Sequence, residues 1–151
     1  MRTAKHESRA VLRVPTPVVG SGGGVGTTTL CRWLGDLAND HATRMPEWTG
    51  TPIVVTCRTT AESVMRASRL IGSLTSTALA VRVVLAAVGD GPVPEPGLVR
   101  ARLRTLEAHT TGVVRLPYVE AWRYVDDPLT RPVPSAYERA LRTLVRLVNR
   151  T

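Results

Sequence analysis

The sequence predicts an α/β fold: a parallel sheet of about four strands with helices on both faces. Three observations carry that expectation. Apolar, β-branched runs ("PIVVTC", "AVRVVLAAV", "GVVRLPY") alternate along the chain with segments whose apolar residues recur at helical spacing. The first run is continuous rather than alternating apolar and polar, as in a strand covered on both faces. A glycine-rich turn joins the first short strand to the first helix, and strand–helix alternation of this kind builds parallel sheets through helical crossovers.

Residues 1–14 read as a flexible polar arm closed off by Pro15 and Pro17, leaving a single domain over 15–151. The first strand is expected over about Thr16 to Val19, followed by a glycine loop, Gly20 to Gly26. A helix then starts at Thr27 or Thr28 and runs to about Leu37, with Leu30, Trp33, Leu34 and Leu37 on one stripe. "NDHATRMPEWTG" is a turn-rich connector. "PIVVTC" is the second strand. Thr59 with Glu62 three residues on is a capping-box signature for the next helix. Its stripe is Val64, Ala67, Ile71 and Leu74, with Arg66 and Arg69 facing away. "AVRVVLAAV" is the third strand and "GDGPVPEPG" a loop rich in breakers. A helix over Leu98–His109 turns Val99, Leu103 and Leu106 inward. "GVVRLPY" is the fourth strand, ending at Pro117, and "VEAWRYVDDPLTRPVP" is irregular. The last helix spans about Ser135–Arg150, apolar through Tyr137, Leu141, Leu144 and Val148, with Arg139, Arg142, Arg146 and Arg150 opposite.

The 151 residues, 43% of them hydrophobic, suffice for one core. With no Phe, that core must rest on Val, Leu, Ile and Ala. The net charge of +8 is carried by Arg; the only Lys is Lys5. That skew points to a GC-rich genome. Codon bias accounts for Arg over Lys but not for the excess of positive charge, which suggests an acidic partner: nucleic acid, anionic lipid or an acidic protein. Residues 98–151 hold 10 Arg against 5 Asp and Glu, so the charge is concentrated there. Cys31 and Cys57 have neither disulfide-framework nor zinc-ligand spacing and read as small buried residues. The basic N-terminus has no apolar segment long enough for a signal peptide, and the longest apolar run, Ala78–Val88, is broken by Arg82 and too short to span a bilayer. A cytoplasmic protein without a membrane span is the expectation.

The glycine loop is the most informative stretch. In "VVGSGGGVGTTTL" the dinucleotide pattern G-x-G-x-x-G fails in every register: the third glycine position holds Val25, Thr27 or Thr29. The phosphate-loop pattern G-x-x-x-x-G-K-[ST] fits in part. Gly26 takes the last glycine and Thr28 the magnesium-binding hydroxyl, while Ser21 replaces the first glycine and Thr27 the lysine.

"GGGVGTTTL" resembles the loop of the ParA/MinD/nitrogenase-iron-protein group of P-loop ATPases, whose pattern is K-G-G-x-G-K-[ST]-T. Gly23, Gly24, Val25, Gly26, Thr28 and Thr29 match it; Gly22 replaces the group's signature lysine and Thr27 the Walker lysine. "PIVVTCRTTAESVMRASRLI", "VRVVLAAV" and "VVRLPY" resemble later parts of that fold. The middle, with its aspartate-bearing strands, is not evident. The early "GGxGTTTL" and late "PYVEAWR" are also similar to an uncharacterised actinobacterial family of short P-loop-like proteins associated with conjugative and integrative elements. The resemblance implies a minimal P-loop-like sheet. It implies a cofactor site for ATP or ADP with Mg²⁺ at Gly22, Gly23, Gly24, Val25, Gly26, Thr27, Thr28 and Thr29, weak or lost altogether.

A glycine loop before a helix offers backbone N–H groups and a positive helix end to an anion. Losing a lysine contact of roughly 1.5–3 kcal/mol weakens binding about 10- to 150-fold, which binding survives. Hydrolysis is more exposed, because it depends on positive charge placed at the transition state. Arg58, emerging from the second strand on the loop's side, is the candidate replacement; Arg32 is another. Thr28 and Asp90 are the candidate metal ligands, although Asp90 lies in a "GDGP" turn. No catalytic residue is assigned. His6, His41 and His109 follow no ligand spacing, and no base is placed to activate the loop threonines.

Two features stand apart from the loop. Tyr118–Tyr124 and the acids after it form a dense aromatic and charged segment, either a staple for the last helix or a protein-docking patch. The Arg face of the last helix is either a solvated face or a DNA-phosphate surface. The leading reading is therefore a degenerate P-loop-like protein that binds a nucleotide or other anion, or acts as an adaptor, without hydrolysis, in plasmid or conjugative DNA transfer or partition. One alternative is a weak ATPase in which an Arg replaces the lysine. The other is a basic nucleic-acid-binding module with a purely structural glycine loop.

Overall fold

The computed structural model describes residues 15–48, 50–77 and 80–150. The arm expected over 1–14, with Lys5 and His6, lies outside the described residues. Five parallel strands form one sheet: β1 (Thr16–Gly20), β2 (Ala38–Asp40), β3 (Ile53–Arg58), β4 (Val83–Val88) and β5 (Gly112–Leu116), in the order β2-β1-β3-β4-β5. Four helices pack on it: α1 (Thr27–Leu34), α2 (Ala61–Thr77), α3 (Gly97–Glu107) and α4 (Ser135–Val148).

The order fixes the layers. From β1 to β2 the chain steps one way across the sheet; from β3 to β4 to β5 it steps the other way. Right-handed crossovers then put α1 on one face and α2 and α3 on the opposite one. Alternation along each strand divides the side chains to match. Val19, Ile53, Val55, Val83, Leu85 and Ala87 pack against Val64, Ala67, Ile71 and Leu74 of α2 and Val99, Leu103 and Leu106 of α3. Val18, Val54, Val84, Ala86, Val114 and Leu116 pack against Leu30 and Cys31 of α1 and Tyr137, Leu144, Leu147 and Val148 of α4.

The α/β fold is as expected, with one more strand than the four anticipated. β2 lies within what reads as the end of the first helix and the start of the connector. α1 stops at Leu34 because Gly35 adopts φ 59°, ψ −129°, a conformation that favours glycine. A 3₁₀ turn, Gly35–Leu37, follows, and Ala38–Asp40 then pairs with Thr16–Val18. Ala-Asn-Asp has no β-branched residue and no alternation, so only the pairing with β1 makes it a strand. The cap of α2 also moves one residue on: Thr60 Oγ1 accepts from the Ser63 amide at 3.2 Å, while Thr59 Oγ1 accepts from the Asp90 amide at 3.1 Å.

An aromatic cluster closes the α1/α4 face. Trp122 stacks on Trp33 at 5.4 Å between ring centroids and meets the edge of Tyr137 at 4.7 Å. Arg32 of α1 adds an ion pair to Asp127 at 2.8 Å. The Arg32 guanidinium and the Leu129 N–H hold the Asp127 carboxyl below the usual carboxylate range. The irregular segment before α4 is thus stapled to α1. Among the described residues no helix is long and apolar enough to cross a membrane.

Burial pushes the thiols of Cys31 and Cys57 from 9.0 up to about 12. Between about pH 9 and 12 the unfolded chain releases thiol protons that the folded one keeps, so stability falls as pH rises through that window. Urea midpoints measured from neutral to alkaline pH should decline from about pH 9 upward, and replacing both cysteines with Ala should flatten that decline.

Candidate functional site

The reversal of strand order opens a crevice between the carboxyl ends of β1 and β3, the place where doubly wound sheets bind ligands. The glycine loop, residues 21–26, leaves β1 at this point, and α1 starts directly behind it. Gly26, with φ 89°, caps α1 with no side-chain hydrogen bond, and its first turn holds no acidic residue. The N–H groups of that turn are left to solvent or to an anion. An ideal Cβ on Gly20 would stand 2.6 Å from Thr27 Oγ1 and 3.1 Å from the Gly22 carbonyl oxygen, so only glycine lets the loop fold back over the strand end.

Thr27, in the lysine position of the phosphate-loop pattern, faces the sheet. It is 7% exposed, and its Oγ1 lies 2.6 Å from Oγ1 of the fully buried Thr56. Thr56 also reaches the Val19 carbonyl at 3.5 Å. The hydroxyl pair ties the first residue of α1 to β3. Thr28 is exposed, and Thr29 looks into the cleft.

Strand parity puts Arg58 on the same face as Val54 and Thr56. Its Nε donates to the Gly24 carbonyl at 2.5 Å, and Nη1 pairs with Asp90 Oδ1 at 3.5 Å. Its own amide donates to Ser63 Oγ at 2.8 Å, and Ser63 Oγ lies 3.5 Å from Ser21 Oγ. On the opposite side of the loop stands Arg66, from the second turn of α2. Its Nη1 is 3.0 Å from where a Cβ on Gly22 would sit, and Nη2 bonds Glu62 at 2.6 Å. Two guanidinium groups therefore flank the loop, one from β3 and one from α2.

The cleft beside the loop has a volume of about 460 Å³. Gly26, Thr29, Arg58 and Asp90 line one side; Tyr118, Trp122, Arg123 and Tyr137 line the other. The glycine loop and the aromatic segment, remote in sequence, thus line the same cleft. Tyr118 raises the pKa of the Arg123 guanidinium by a hydrogen bond. Trp122 is committed to Trp33 and Tyr137, while Tyr124 is 76% exposed. Among the described residues, the indole N–H groups of Trp33 and Trp122 are buried without an acceptor.

The expected residues are thus distributed as follows. Gly26, Thr29, Arg58 and Asp90 line the cleft; Gly22, Gly23, Gly24 and Val25 form the loop above it; Thr27 faces the core. Of the expected metal ligands, Asp90 is 51% exposed and paired with Arg58, and Thr28 does not line the cleft. Among the described residues no group of three or more His, Cys, Asp or Glu converges. His41 lies beside the β2 edge and His109 in a groove between α2 and α3. Arg32 is taken by Asp127. Sequence reasoning missed Arg66, which an outward position on a helix does not distinguish from a solvated arginine.

Residues 16–138 match a family of unknown function, DUF6668. The chain belongs to that family. No curated protein and no solved structure matches the chain. The matched span runs from the start of β1 into α4 and so contains the glycine loop, both flanking arginines and the aromatic wall.

Removing the Thr56 hydroxyl takes away the partner of Thr27 in the core, whereas Thr56 keeps the Val19 carbonyl when the Thr27 hydroxyl is removed. Thr56→Val should cost about 1–3 kcal/mol, and Thr27→Val/Thr56→Val less than the sum of the single changes. A denaturant double-mutant cycle checks both.

Proposed function

We propose that this protein binds a phosphate-bearing ligand, a nucleotide being the one the sequence resemblance implies, at the glycine loop and does not hydrolyse it. The observation that carries this reading is Arg58: its guanidinium reaches the glycine loop at the crevice where a sheet of this order takes its ligand. The loop amides and the first turn of α1 would hold the phosphates, with Arg58 and Arg66 supplying the charge. Thr29 offers a hydroxyl, and Tyr118 an aromatic surface in the same cleft.

The residues present fit the phosphates better than they fit phosphoryl transfer. The position that would carry a catalytic lysine holds a buried threonine bonded to Thr56. Asp90, the nearest carboxylate, is engaged by Arg58. Among the described residues no histidine lines the cleft to activate a water. The reading as a binder or adaptor in plasmid partition or conjugative DNA transfer rests on the sequence resemblance.

Calorimetric titration with ATP-magnesium and ADP-magnesium tests the proposal. Arg58→Ala should weaken binding about 10- to 150-fold, as expected for a lost charge-assisted bond. Asp90→Asn, which frees Arg58 from its internal partner, should tighten binding several-fold. Phosphate release should stay at background in all three proteins. No binding at millimolar ligand would sink the reading, and binding unaffected by Arg58→Ala would move the ligand elsewhere.

A further inference from the structure

Away from the cleft, an apolar groove of about 400 Å³ runs between α1 with its following 3₁₀ turn and the outer side of α4. Trp33, Leu34 and Leu37 form one wall; Leu141 and Val145 form the other. All five are half-buried, left over after α4 has buried Tyr137, Leu144, Leu147 and Val148 against the sheet. Two arginines, Arg142 and Arg146, edge the groove. Arg139 and Arg150 continue the same ridge at helical spacing. Glu138, the one carboxylate in the lining, is paired with Arg142 at 3.7 Å.

The geometry points to a docking site for an acidic amphipathic helix of a partner protein, its apolar face in the groove and its carboxylates along the arginine ridge. Charge decides the occupant. A second copy of this chain, with net charge +8, would bring arginine onto arginine. Residues 1–14 carry Arg2, Lys5, Arg9 and Arg13 against Glu7 alone and meet the same repulsion. Duplex DNA would satisfy the ridge but has nothing to set against the apolar walls, since its phosphates bind charge alone. An amphipathic helix satisfies both, with anchors at i, i+3 or i+4, and i+7. The groove extends from Glu138 to Arg146, about 12 Å of helix, which accommodates about two turns of such a partner. The site is independent of the phosphate reading.

The probe is a synthetic, fluorophore-labelled peptide about four helical turns long, with Leu on one face and Glu flanking it. A control peptide has Lys for every Glu. Anisotropy titrations against the full chain should show micromolar binding of the acidic peptide and none of the basic one. The exposed double change Arg142→Glu/Arg146→Glu and the wall change Val145→Asp should each weaken binding at least about tenfold, with circular dichroism unchanged. Absence of binding at hundreds of micromolar peptide would overturn the proposal. So would a duplex oligonucleotide that binds in its place and is lost only with the arginines. Self-association of the wild-type chain abolished by Val145→Asp would instead give the groove to a second copy.

Discussion

A parallel crossover has only one comfortable hand, and much of this molecule follows from that. Once β1 connects to β2 on one side and β3 leads away on the other, the helices must divide between two faces. The strand ends between β1 and β3 then have no helix of their own above them. The chain fills that gap with glycine, the one residue that can turn back over Gly20 and enter α1 directly. The loop is therefore first a topological necessity. The same turn leaves the amides at the start of α1 without intrahelical partners.

The cations at this turn arrive by a route different from that of a loop lysine. A lysine there would project from the first turn of α1; here that position is spent on a buried hydroxyl pair, Thr27 with Thr56. The positive charge comes from the next strand and the next helix, Arg58 and Arg66. Guanidinium groups are planar and fork-shaped, a geometry that matches a carboxylate or phosphate bidentately. Arg58 is also held in its place by Gly24 and Asp90, so its position is defined before any ligand arrives.

Much of this was legible in the sequence, for reasons specific to each element. β3 and β4 announced themselves as buried apolar runs, and α2 as a stripe from Val64 to Leu74. Arg58 was legible because it follows the "PIVVTC" strand and so emerges on the loop's side of the sheet. β2 was not, because Ala38, Asn39 and Asp40 have no intrinsic preference for a strand and acquire one from β1. Arg66 looked like surface charge, since helical periodicity says which face a residue leaves by and nothing about the loop it meets. The union of the glycine loop with the Tyr118–Tyr124 segment depends on Trp122 finding Trp33, a contact between residues with no local relation. The same contact settles how that segment is anchored: it is a staple first, with Tyr124 left exposed.

In a chain with three Trp, three Tyr and no Phe, placing Trp33, Trp122 and Tyr137 in one cluster concentrates half of the aromatic residues at a single point. Trp122 and Tyr137 line the cleft, and Trp33 lines the groove. The stacked indoles are thus a party wall between two chambers. The rings pack face to face and edge to face, with Trp122 on the side of the cleft and Trp33 on the side of the groove. Two of the three tryptophans stand in this wall, so the chain's indole chromophores are concentrated between the two chambers.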